Sequence, residues 1–212
     1  MSRQSLAPLT GVAFVVVVIV GFIVAGEPPE ASNPVGEVVD FYVENDSAIT
    51  IGAALTALAG VLLIFFAGYL RSVLKGGPGG DDMLPTVALI GAGVLATGAA
   101  LDGTILFALA EAADDIDPAA VQALQALWDN DFLPLAVGGA VFILASGLSI
   151  LTRATPIPRW LGWVAVALGL IGLTPIGFVA FLGSAIWIVI VSVLLAVRGR
   201  ATTAEASDTA TA

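Results

Sequence analysis

Apolar residues in this chain fall in long unbroken runs rather than in the short periodic stripes of a soluble domain. A bilayer core about 30 Å thick is crossed by roughly 20 apolar residues in a helix. Runs of that size cover 9–25, 48–70, 84–110 and 132–151, the third interrupted once by Asp102. The last run, Trp160 to Val197, is too long for one crossing and is broken at Thr174-Pro175-Ile176-Gly177. Proline and glycine so close together punctuate a helix. The run therefore divides into spans at 157–173 and 177–197, with one long kinked helix as the alternative. The pattern predicts an all-α polytopic bundle of six transmembrane helices over 1–200, followed by a small, polar, disordered cytoplasmic tail at 201–212. The first run has a second reading, a cleaved signal peptide with Arg3, an apolar core and Val24-Ala25-Gly26. Both readings leave residue 27 on the outer side.

The two long polar segments each contain a short amphipathic pattern. Asn33-Pro34 reads as an N-cap and first helical residue, and Val35, Val38, Val39, Tyr42 and Val43 follow at helical spacing. Asp117-Pro118 opens the second in the same way, with Val121, Leu124, Leu127 and Trp128 behind it. One ends in Glu44-Asn45-Asp46 and the other in Asp129-Asn130-Asp131, and a span follows each at once. Spans one–two and three–four thus read as a degenerate repeat. The simpler alternative is two helices lying at the outer interface with their apolar faces down.

Composition strengthens the membrane reading. Hydrophobic residues make up 58% of the 212 and charged residues only 11%, where a soluble domain carries about 25% charged. Six of the seven basic residues are Arg, which with abundant Ala, Gly and Val is the composition of a GC-rich bacterial genome. The placement of charge says more than the net −10. Arg3, Arg71, Lys75, Arg153, Arg159, Arg198 and Arg200 all fall on one side of the six-span arrangement. The two long loops between spans carry only acids: Glu27, Glu30, Glu37, Asp40, Glu44 and Asp46 in one, and Glu111, Asp114, Asp115, Asp117, Asp129 and Asp131 in the other. Cytoplasmic loops collect Lys and Arg. Both termini are therefore expected in the cytoplasm, and the protein in the plasma membrane of a bacterium. Trp160 and Trp163 at the inner start of span five fit an interfacial aromatic belt.

Chemistry is sparse. The chain has no Cys and no His, which excludes disulfides, thiolate and imidazole metal sites, bis-histidine haem, Cys nucleophiles and His-based triads. Gly76-Gly77-Pro78-Gly79-Gly80 lacks the Lys-Ser/Thr of a phosphate loop and reads as an inner linker. Asp102 is the one ionisable residue expected within the hydrocarbon, about 7 Å outward of the middle of span three. Charges at such depth usually face the bundle interior and often carry function. Gly91, Gly98 and Asp102 share a helix face of small residues that should pack against another helix. Asp102 serves either as a proton or cation relay, or as a packing contact hydrogen-bonded to a neighbour such as Ser146 or Thr56. The acidic pairs Glu44 with Asp46 and Asp129 with Asp131 are the weaker candidates, as ligands of a hard cation or as a solvated rim. An aspartyl protease needs two intramembrane Asp residues, and Asp102 is alone. No enzyme activity, no cofactor, no resident metal and no nucleic-acid partner is expected.

Pro156-Ile157-Pro158-Arg159-Trp160-Leu161-Gly162-Trp163 opens the penultimate span. With the NP…FY…END segment before span two and ALQALWDNDF before span four, it resembles a large group of bacterial six-span membrane proteins of unknown function, close to the DUF4386 type. The resemblance runs to about Arg200 and implies a multi-pass plasma-membrane protein without implying a reaction. The expectation is a non-enzymatic structural, sensing or partner-modulating component. A small transporter or ion-coupled carrier using Asp102 is the alternative. The lipid bilayer is the expected environment, with a protein partner or a second copy of the chain left open.

Overall fold

A computed structural model describes residues 6–76 and 82–210, those after Arg198 by backbone alone. A 3-10 turn, Ala7–Leu9, leads into eight α-helices: α1 Thr10–Ala25, α2 Val35–Glu44, α3 Asp46–Leu74, α4 Met83–Ala112, α5 Pro118–Trp128, α6 Phe132–Thr152, α7 Arg159–Ile171 and α8 Gly177–Ala210. No strand occurs among the described residues. The Gly-rich linker read at 76–80 lies almost wholly outside them. The backbone of α8 runs on helically through most of the segment expected to be a disordered tail.

Among the described residues, five helical stretches are long and apolar enough to cross a membrane: Ala7–Ala25, Asp46–Leu74, Met83–Ala112, Pro118–Thr152 and Gly177–Arg198. This is the signature of a multi-pass membrane protein. The sixth stretch is shorter than expected. In place of 157–173, the helix has 13 residues, Arg159–Ile171, about 20 Å against the 30 Å of a bilayer core. Pro158 caps it in an extended conformation (φ −60°, ψ 138°). At the other end Leu173 N donates to Leu170 O and Thr174 N to Ile171 O, tightening the chain into turns before Pro175.

Glycines set the close contacts between helices. A Cβ at Gly91 would lie 2.5 Å from Phe142 N, one at Gly138 2.3 Å from Leu95 N, and one at Gly147 2.7 Å from Gly162 O. These approaches leave room for hydrogen only, so α4 packs backbone to backbone on α6, and α6 on α7. The face of Gly91 and Gly98 packs as its spacing predicts. The larger core is filled by Leu63, Phe66, Phe142, Ile143 and Trp187 among others. Phe66 and Phe142 meet edge to face at 6.5 Å, joining α3 to α6. Trp187 is 1% exposed and its indole donates to Leu161 O at 2.9 Å, joining α8 to α7. Trp160 and Trp163 stand outward, exposed. At the basic end, Arg71 pairs with Asp82, and Lys75 lies 3.7 Å from the same carboxylate.

Candidate functional site

The register of α4 against its neighbours locates Asp102. A Cβ at Gly98 would lie 3.0 Å from Pro134 Cβ and from Leu135 N, and one at Gly103 3.4 Å from Ala53 O. A Cβ at Gly52 would lie 2.7 Å from that of Ala25. Asp102, one helical turn beyond Gly98 and next to Gly103, is therefore level with the first residues of α6 and with the end of α1. There α1 stops at Gly26, whose φ of +74° is a conformation L side chains rarely adopt. Asp131 is the N-cap of α6. The Asp102 and Asp131 carboxyls lie near enough to feel one another's charge, with the Trp128 indole beside Asp102. Trp128 Nε1 and Asp131 Oδ2 are buried without a hydrogen-bond partner. Burial pushes the Asp131 carboxyl up, against an opposing pull from its own backbone N–H.

Neither partner suggested by sequence reaches Asp102. Thr56 donates to Gly52 O at 3.0 Å. Ser146 lies fifteen residues along α6 from Asp131, about 22 Å at 1.5 Å per residue, and its buried hydroxyl has no partner.

Above this level α4 continues through Gly103–Ala112 and α3 begins seven residues earlier, at Asp46. These ends of α3 and α4 form a stalk that α2 and α5 embrace. Val38, Tyr42, Ile49, Leu106, Leu109 and Val121 make its core. A polar chain crosses that core. Tyr42 OH donates to Gln125 Oε1 at 2.5 Å, and Gln125 Nε2 donates to Asp129 Oδ1 at 2.8 Å. Asp129 Oδ2 accepts from Ala31 N at 2.9 Å. Gln122 Nε2 donates to Ala31 O at 2.8 Å and to Asn33 O at 3.1 Å. The two loops, some ninety residues apart in sequence, are thus stitched together. Burial, and then the Asp129 carboxylate, hold the Tyr42 phenol well above its usual pKa, so it stays a donor.

Asp129 belongs to the stitch and Asp131 to the Asp102 neighbourhood, while Glu44 and Asp46 are exposed. No group of three or more acidic residues could hold a metal ion among the described residues. The first loop helix starts one residue later than its spacing predicts, capped by Pro34; Asn33 donates to Glu37 Oε1 instead. Asp117 caps α5 as its spacing predicts, accepting from Ala119 N at 2.8 Å. Sequence reasoning missed Gln125, although it falls four residues after Val121, on the apolar face of α5. A polar residue at an apolar position requires a buried partner, and that was the available signal.

No family model, curated protein or solved structure matches the chain.

Proposed function

We propose that this protein is a non-enzymatic membrane component that holds a rigid two-helix cap above the outer face of a bacterial plasma membrane, for structural, sensing or partner-modulating purposes. One observation carries the reading: α3 and α4 outrun α1 and α6 at one end, and the surplus is clasped by α2 and α5 through the buried Tyr42–Gln125–Asp129 chain. Met83–Asp102 and Phe132–Thr152, 20 and 21 residues, each match a hydrocarbon slab of about 30 Å. The slab then ends at Asp102 on one side and near Asp82 on the other. Asp102 on this reading sits at the outer boundary, shielded by Trp128, and not deep in hydrocarbon.

In the orientation proposed, the basic end faces the cytoplasm and both termini lie there. The α7–α8 hairpin returns to the side from which it started, so six crossings and four crossings plus a dipping hairpin give the same sidedness. Resemblance to the six-span DUF4386 type favours six crossings.

A carrier using Asp102 is the second reading, favoured by the neighbouring carboxyl of Asp131 and the unpartnered atoms around it. Reconstituted liposomes carrying an internal pH dye and an imposed cation gradient separate the two. The cap reading expects wild type to match empty liposomes, with Asp102→Asn shifting thermal stability alone. Proton-linked flux that disappears in Asp102→Asn would establish the carrier.

A further inference from the structure

We infer that Asp102 and Asp131 share a proton, and that this proton latches the cap to the helices beneath it. The inference rests on the cap reading above and supplies it with a signal, the acidity on the capped side. Its support is a count of donors and acceptors. Trp128 Nε1 is a buried donor with no acceptor, and Asp131 Oδ2 is a buried acceptor with no donor. Both belong to the neighbourhood of the Asp102 carboxyl. Buried polar atoms left in this way are rare, because they have given up water without a replacement.

The described Arg and Lys residues lie at the other end of the bundle, so no cation supplies the missing donor. The groups that face the pair are acids. Tyr42 comes from α2 and already donates to Gln125, and Asp129 at the C-cap of α5 accepts from Gln125 and from Ala31 N. At this level α3 presents Gly52 and Ala53, and α1 ends with Glu27 exposed beyond it. A proton held by the two carboxyls completes the count. One carboxyl, protonated, donates to the other, and a remaining carboxylate oxygen accepts from the Trp128 indole. Without the proton, two like charges share a buried site and repel. The attachment of each group makes the pair a latch. Trp128 ends α5, Asp131 caps α6 three residues later, and Asp102 belongs to α4. The shared proton draws the α5–α6 corner onto α4, and its loss pushes that corner away. Closing takes up the proton, so acid closes the cap and alkali loosens it.

The test is hydrogen exchange on the full chain in nanodiscs, with infrared spectra of the same samples. After correction for the intrinsic rate at each pH, amides of α5 and α2 should be about tenfold better protected at about pH 5.5 than at about pH 8. At about pH 5.5, above the ordinary range of exposed carboxyls, the spectrum should show the C=O stretch of a protonated acid. Asp131→Asn and Asp102→Asn each put an amide donor in place of the shared proton. Each should keep the acid level of protection at both pH values and lack that band. Tyr42→Phe should lower protection yet keep its pH response. Protection independent of pH in wild type overturns the latch, as does a response that survives in both Asn variants. If one Asn variant does not fold, the other decides. If neither folds, absence of the band from wild type at the lower pH overturns the latch. A cap unprotected at every pH would instead refute the cap reading.

Discussion

At the scale of single residues, the most consequential side chains are polar groups placed where apolar ones are the rule. Tyr42 and Gln125 are wholly buried and complete one another's hydrogen bonding. Tyr42→Phe removes the donor but leaves Gln125 Oε1 buried without one, a cost of about 1–3 kcal/mol. Hydrogen exchange on purified protein should show α2 and α5 opening more often, while α4 and α6 keep their protection. The phenol also sets a pH dependence. Its folded pKa is raised, so the fold holds the proton more tightly than the unfolded chain does. That stabilisation is present below the ordinary value of about 10 and is lost as pH climbs past it, because the unfolded phenol ionises first. Alkaline unfolding should therefore begin earlier in wild type, relative to its neutral stability, than in Tyr42→Phe. Asp102 was legible as the exceptional ionisable residue of its run, but its neighbours were not. Trp128 and Asp131 come from a different helix and from the cap of a third, and nothing in local spacing connects them to it.

At the scale of elements, the spans were legible because a bilayer excludes charge along a fixed length, and that leaves runs visible without any partner. The ends were less so. Ile49, Leu106 and Leu109 are apolar because they pack on α2 and α5, and in sequence such residues look the same as ones facing lipid. From sequence alone the residues packed on α2 and α5 are therefore indistinguishable from the rest of the apolar runs. The thirteen-residue α7 was overestimated for a related reason. Hydropathy continues through Gly172, Leu173 and Ile176, whereas the helix has already turned. Packing between elements makes a sharp demand on glycine. Gly138→Ala would drive a methyl to 2.3 Å from Leu95 N, and Gly91→Ala to 2.5 Å from Phe142 N. Both strike backbone, so α4 and α6 must separate. Gly93, two residues along and on the opposite face of α4, has nothing within 4 Å of its Cβ position. Thermal unfolding in detergent should show a large loss for Gly91→Ala and Gly138→Ala, about 2 kcal/mol or more, and little change for Gly93→Ala.

At the scale of the whole molecule, the two ends have different chemistry. One carries a packed protein cap with an acidic surface. The other carries arginines anchored on loop carbonyls. The glycine seams between α4, α6 and α7 keep the helices in a fixed register, and that register carries the capped ends of α3 and α4 beyond their neighbours. The placement of a membrane between the ends, with the cap outside, is the claim on which the rest depends. The chain has no cysteine, so single substitutions give unique labels. Gly36→Cys and Ala119→Cys place a thiol on exposed positions of α2 and α5, and Ala154→Cys places one in the loop after α6. In intact cells a membrane-impermeant maleimide should label the first two and reach the third only after permeabilisation. Labelling of Ala154→Cys and Ala119→Cys from the same side would contradict the account.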